Sequence, residues 1–196
     1  MKFQLSINKN MINKANPSTW GWRNVEFSGE ELAEHIKEGF AFSPAVLKPN
    51  AKATKPAIKD VNFAQILAID IDNDIKSYNS ITKKYDKRKK TENEGYWCFD
   101  AAKFNNFIIE NALLIYTTPS HKEDWHRFRI VFVQNDGISN PVEYREKISI
   151  LIDRFGGDKS CSNIDRLFYG NRDCDMVYFG KVLNSDILLP TVEQLL

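Results

Sequence analysis

Asp70 and Asp72 are the residues of this chain whose type, spacing and surroundings point most directly to chemistry. They close the stretch Gln65-Ile66-Leu67-Ala68-Ile69-Asp70-Ile71-Asp72-Asn73-Asp74, an apolar run that ends in carboxylates. A short run rich in Ile reads as a buried central strand over residues 65–71. Side chains alternate along a strand, so the two carboxylates share a face, about 6–7 Å apart. Side by side at the end of a buried strand they repel each other, and each needs a raised pKa or a shared cation. Hard oxygen donors of this kind suit a divalent metal ion. A plainer reading stands beside this one, because Asp and Asn favour the turns where strands end. It accounts for Asp72, Asn73 and Asp74 more easily than for Asp70, which is flanked by Ile69 and Ile71.

Further polar groups follow or interrupt apolar elements. Ser120 and His121 end a second apolar strand, residues 112–116 and the polar residues after it. Arg127 and Arg129 alternate with Phe128 and Ile130 on a third strand, residues 127–133, so both guanidiniums point to one face. Near a metal, such a pair suits a triphosphate or a nucleic-acid phosphate; the plainer reading pairs them with surface acids. Asp158 follows Gly156-Gly157, and Arg166 lies a few residues on. Lys83, Lys84, Lys87, Arg88, Lys89 and Lys90 crowd together, and Lys48, Lys52, Lys55 and Lys59 form a looser group. Either group suits a phosphate backbone, although a charge run is more often a solvated loop.

The elements that must position these groups are read from periodicity and caps. Residues 1–27 are β-like. Ser28 and Glu31 form a capping box ahead of a short amphipathic helix that stops at Gly39. Residues 43–60, with three prolines, read as an exposed loop, and residues 75–98 as a polar, basic excursion between core elements. Asp100 is expected to cap a helix bearing Ala101, Phe104, Phe107 and Ile108. Asn140-Pro141 starts another, with Ile148, Leu151, Ile152 and Phe155 as its buried stripe. Residues 166–169 and 176–179 read as short strands, and residues 190–196 as the start of a helix. The second and third strands form a hairpin. The result is an α+β domain with mainly antiparallel pairing, one domain over 1–196 with an N-terminal part of about 1–60 and a core of about 61–180.

With 196 residues, 42% hydrophobic and 27% charged, the composition is that of a globular protein. No apolar run is long enough to cross a membrane, no signal peptide is read, and a cytoplasmic location is expected. The cysteines Cys98, Cys161 and Cys174 form no CxxC pair, which argues against a zinc knuckle or a disulfide framework. A net charge of +1 leaves nucleic-acid binding to local patches.

Taken in order, these motifs resemble the archaeo-eukaryotic primase superfamily, and in particular the primase-polymerases of plasmids, phages and mobile elements. The likeness rests on three regions. They are Leu67-Ala68-Ile69-Asp70-Ile71-Asp72; Tyr116-Thr117-Thr118-Pro119-Ser120-His121 with Arg127-Phe128-Arg129-Ile130-Val131-Phe132; and Asp158-Lys159-Ser160-Cys161 leading to Arg166-Leu167-Phe168-Tyr169-Gly170. It covers roughly residues 60–175. Ser120 and His121 are adjacent, which departs from the family's Ser-x-His spacing, and Asp165 competes with Asp158 as the third acid.

The resemblance implies a primase-like α+β core that joins nucleotides on a single-stranded DNA template with two Mg²⁺ or Mn²⁺ ions. It implies Asp70, Asp72 and Asp158 as metal ligands, and with His121 as catalytic residues. Ser120, His121, Arg127, Arg129 and Arg166 would contact the nucleoside triphosphate. Lys83, Lys84, Lys87 and Arg88 would contact DNA template and primer, and Tyr169 would stack on a base or sugar. A helicase partner and a longer parent replicase fit the same picture. Competing classes are a metal-dependent nuclease or phosphohydrolase, a DNA-binding initiator module with structural acids, and a DxD glycosyltransferase.

Overall fold

The computed structural model describes residues 1–10, 21–49 and 57–188; Lys52, Lys55, Trp20 and the expected helix at 190–196 lie outside the described residues. The fold is α+β with antiparallel strand pairing throughout. In chain order the strands are β1 (Lys2–Asn8), β2 (Arg23–Ser28), β3 (Ala41–Ser43), β4 (Ala45–Leu47), β5 (Val61–Ile71), β6 (Asp74–Asn79), β7 (Lys84–Lys89), β8 (Leu114–Thr117), β9 (Phe128–Ile138) and β10 (Met176–Tyr178). The helices are α1 (Gly29–Lys37), α2 (Phe99–Lys103), α3 (Asn106–Asn111) and α4 (Pro141–Phe155).

The main sheet runs β10-β8-β9-β5-β4, a smaller one β2-β1-β3, and β6-β7 form a separate hairpin. β5 is the strand expected from the apolar run, extended back to Val61. It is flanked in the sheet by β9 and β4 and covered by α4 and β1, so residues 66–69 are at most 1% exposed. That enclosure explains why the run is continuous rather than alternating. Burying each of its aliphatic side chains contributes about 1.5–3 kcal/mol relative to exposure.

Local signals hold where caps fix them. Ser28 Oγ accepts from the Glu31 amide, and the Glu31 carboxylate accepts from the Ser28 amide, closing the capping box of α1. Asn140 caps α4 with Pro141 in its first turn, and Gly156 at φ 63° ends it.

Elsewhere tertiary context prevails. β4 occupies part of the expected loop at 43–60, its residues buried between β5 and the small sheet. The expected excursion at 75–98 contains the β6–β7 hairpin, with Tyr78 opposite Tyr85. The helix expected after Asp100 is two short helices, capped by Cys98 and Asn105, with Phe104 turned 79% to solvent between them. Residues 166–169 form no strand; a single bridge joins Phe168 to Phe42.

Candidate active site

The end of β5 meets the loop that follows α4. Asp70 O accepts from the Asp158 amide at 2.8 Å. Gly157 permits that approach, because a Cβ there would lie 3.2 Å from Asp70 O. Asn73, at φ 51°, turns the chain out of β5. Its buried side chain donates to the carbonyls of Trp97 and His126, both at 2.7 Å, and accepts from the Trp97 amide at 2.9 Å. The expected polar turn is thus a built corner.

The two motif carboxylates have different surroundings. Asp70 lies in a row across the main sheet, opposite Arg129, which is opposite Tyr116. Arg129 Nε donates to Asp70 Oδ1 at 2.5 Å, and Asp70 Oδ2 accepts from Cys161 Sγ at 3.4 Å. The guanidinium also donates to the Tyr116 hydroxyl and to Tyr169 O, and it lies over the Phe168 ring at 4.4 Å. Burial works against the Arg129 charge, but Asp70 above all holds its pKa higher than usual. Arg129, read from sequence as a phosphate contact, is 5% exposed in the sheet interior.

Asp72 lies one residue beyond the last residue of β5 and faces a cleft of about 250 Å³ lined by Asn73, Asp74, Lys76, Lys90, Gly156, Gly157, Asp158 and Lys159. Its backbone carbonyl accepts from Trp125 Nε1 at 3.0 Å. Its carboxylate has no hydrogen bond or ion pair among the described residues. Burial first, then the charges of Asp70 and Asp74, push the Asp72 carboxyl above the usual range, with Asp158 adding to them and Arg127 opposing.

The neighbouring acids are partnered. Lys76 Nζ contacts Asp158 Oδ2 at 2.9 Å, and Lys87 Nζ contacts Asp74 Oδ2 at 2.9 Å. Burial would raise the Asp158 carboxyl, but the Ser160 amide and Lys76 outweigh it and hold it low. Four carboxylates therefore lie around the end of β5, and among the described residues Asp72 is the one without an ion pair. That donor set fits a hard divalent ion held by Asp72 and Asp158. No group of three His, Cys, Asp or Glu side chains among the described residues is placed to hold a metal ion; Asp70 is engaged by Arg129 and Asp158 by Lys76 and the Ser160 amide.

Arg127 borders this site. Its guanidinium stacks over Trp125 at 4.4 Å and lies 3.7 Å from Asp74, and its buried Nε has no hydrogen-bond partner among the described residues. Arg166 is half-buried, and its Nε also has no hydrogen-bond partner among the described residues. His121 Nδ1 lies 3.1 Å from the Arg127 amide, from which it can accept, and 3.3 Å from the Arg127 carbonyl, to which it can donate. Burial, then His126 with its ring 5.0 Å away, lower the His121 pKa. Ser120 is exposed and shares a hydrogen bond with Thr118. Asp165 does not line the cleft; its charge bears on the buried Tyr144. Tyr169 packs beside Trp22, Ala41 and Leu47.

Of the expected DNA contacts, Lys83 and Lys84 sit exposed at the tip of the β6–β7 hairpin. Lys87 is paired with Asp74, and Arg88 is paired with Glu94 at 2.5 Å. Sequence reading missed Lys76, and it placed Lys90 in the basic run and Gly157 and Lys159 beside Asp158 without assigning them to the site. Lys76 alternates with Asp74 on β6, a period-two signal hidden by the surrounding charge run.

No family model matches the sequence, and no curated protein matches it. In chain path it is similar to the AEP domain of the cyanophage S-2L primase-polymerase (PrimPol), with a TM-score of 0.45 and 9% identity over 96% of this chain and 86% of that one. A likeness at that level assigns no chemistry to this chain. Among the described residues, no helix is long and apolar enough to cross a membrane.

Proposed function

We propose that this chain is a metal-dependent nucleotidyltransferase of the primase-polymerase kind, joining nucleotides on a single-stranded DNA template. The observation that carries the reading is the uncompensated Asp72 carboxylate, which shares a cleft with Asp158 at the end of the DxD strand. The order of the three sequence motifs supports it.

Asp72 and Asp158 would hold Mg²⁺ or Mn²⁺, with Asp70 adding negative charge from the sheet behind them. The bound ion supplies Lewis-acid stabilisation of charge on the phosphoryl oxygens. Lys76 keeps Asp158 ionised and oriented. Arg127, stacked on Trp125, and Arg166 would bind triphosphate oxygens; the Nε of each has no hydrogen-bond partner among the described residues. His121, with Ser120 beside it, would donate a ring N–H to a phosphate oxygen. Arg129 is a positioning residue that orders Asp70. Catalysis then rests on orientation and electrostatics more than on covalent chemistry.

The test supplies primed and unprimed single-stranded DNA with labelled nucleotides and Mg²⁺ or Mn²⁺ to the wild type and to Asp72→Asn. Metal-dependent extension should fall by about 10²-fold or more in the variant, with the circular-dichroism spectrum unchanged. Shortened DNA would replace this reading with a nuclease. No product in any lane, with DNA binding that survives chelation and the substitution, would replace it with an initiator module.

A further inference from the structure

A second groove adjoins the acidic cleft. It has a volume of about 530 Å³ and is lined by Tyr96, Trp97, Asn105, Phe107, Arg154 and Phe155, together with Gly95 and Gly156. Gly156 borders both spaces, and Lys90 Nζ lies 3.9 Å from where a Gly156 Cβ would be.

We propose that this groove binds a base of single-stranded nucleic acid, with the adjoining phosphates on Arg154, Lys90 and Lys159. The proposal rests on the nucleotidyltransferase reading only for the direction of the strand, which leads past Gly156 to Asp72 and Asp158.

Three observations carry it. First, the walls are flat π surfaces. Trp97 and Phe155 lie parallel with centroids 5.5 Å apart, and Phe107 meets Phe155 edge-on at 5.7 Å. Trp97 meets Phe128 and Phe107 meets Phe132 edge-on, and Phe155 lies near-parallel to Phe132 at 6.2 Å, which fixes their orientation, while all three stay partly exposed and line the groove. Stacking on held aromatic rings tolerates any base.

Second, the charges at the rim are available to phosphate. Arg154 lies over the Phe107 ring at 4.4 Å, and Arg154, Lys90 and Lys159 have no acidic partner among the described residues. This sets them apart from Lys76, Lys87 and Arg88, which are all paired.

Third, Asn105 can address a base edge. Its Oδ1 accepts from the Ile108 amide at 3.2 Å, which leaves its side-chain NH₂ unpartnered among the described residues. Apolar walls, one amide and a cationic rim suit a nucleobase and its phosphate better than a purely apolar ligand.

The test is fluorescence anisotropy in EDTA at fixed salt. An oligothymidylate is compared with an abasic deoxyribose-phosphate oligomer of equal length, which presents the same phosphates. The wild type should bind the base-bearing strand about tenfold tighter. Phe107→Leu should lose most of that preference, and Arg154→Glu, on an exposed position, should weaken both strands at least about fivefold. Equal wild-type binding of the two strands would overturn the proposal, as would an unchanged preference in a folded Phe107→Leu or unchanged affinity in Arg154→Glu. Asp72→Asn should keep the preference while losing incorporation. A base preference without wild-type incorporation would sink the enzymatic reading and leave the groove, and incorporation without a base preference would do the reverse.

Discussion

Asp70 and Asp72 belong to one motif, yet they inhabit different regions of the molecule. Asp70 is part of a row across the sheet, where its charge is met by Arg129, Tyr116 closes the guanidinium's far side, and Cys161 caps the second oxygen. Asp72 stands at the rim of a cleft, where its backbone is held by Trp125 and its carboxylate by no hydrogen bond or ion pair among the described residues. The same residue type, two positions apart, is thus satisfied in one place and frustrated in the other. The sheet row is built to stay as it is. The rim keeps an unmet electrostatic demand that a ligand can meet.

The largest expected effect breaks the satisfied half. Arg129→Met leaves Asp70 buried without its cation and strips donors from the Tyr116 hydroxyl and Tyr169 O. Removing one member of a buried pair costs about 3–5 kcal/mol, to be read from the urea midpoint. Adding Asp70→Leu should restore most of the loss, because an apolar pair needs no compensation. If the single variant were as stable as wild type, the row would not be the rigid support described here.

How much of this arrangement is legible in sequence depends on how local its causes are. The buried β5 strand is legible because an apolar run needs no partner to be recognised. The same holds for the caps at Ser28 and Asn140, which act within a few residues. β4 is not legible, because Ala45 to Leu47 are buried only by neighbours distant in sequence. The β6–β7 hairpin is hidden for the opposite reason: β7 is exposed at every position, so no alternation marks it. At the site, the shared face of Asp70 and Asp72 follows from strand periodicity. That Asp70 is consumed by Arg129 follows only from the β5–β9 register, which pairs residues 59 apart in sequence. Sequence motifs locate the charged residues, and long-range register decides which charges remain free.

A smaller effect acts at the joint between the two regions. Gly157 lets the Asp158 loop lie against β5, and a methyl group there would meet Asp70 O at 3.2 Å. Gly157→Ala should cost about 1–3 kcal/mol as the loop gives way. It should also draw Asp158 off its place and lower metal-dependent incorporation by about tenfold, with the Asp70–Arg129 row untouched. Unchanged incorporation together with the stability loss would separate Asp158 from the chemistry.

The smallest effect sharpens the contrast through pH. The Asp72 carboxyl titrates above the ordinary value of 3.8, so its ionisation opposes folding: its contribution is fully present below 3.8 and is lost as pH rises through the folded-state pKa. Asp158 titrates below 3.8, so its contribution is present at neutral pH and is lost only as pH falls through its lower folded-state pKa. Asp72→Asn should therefore be slightly more stable than wild type at neutral pH, with the gain shrinking as pH falls toward 3.8. Asp158→Asn should be less stable at neutral pH, with the deficit shrinking only at and below that value. Added Mg²⁺ should stabilise the wild type and not Asp72→Asn, reversing their order, because a cation that binds only the folded state favours it by mass action. Parallel pH profiles for the two variants would mean that Asp72 is no more frustrated than Asp158, its partnered neighbour in the cleft.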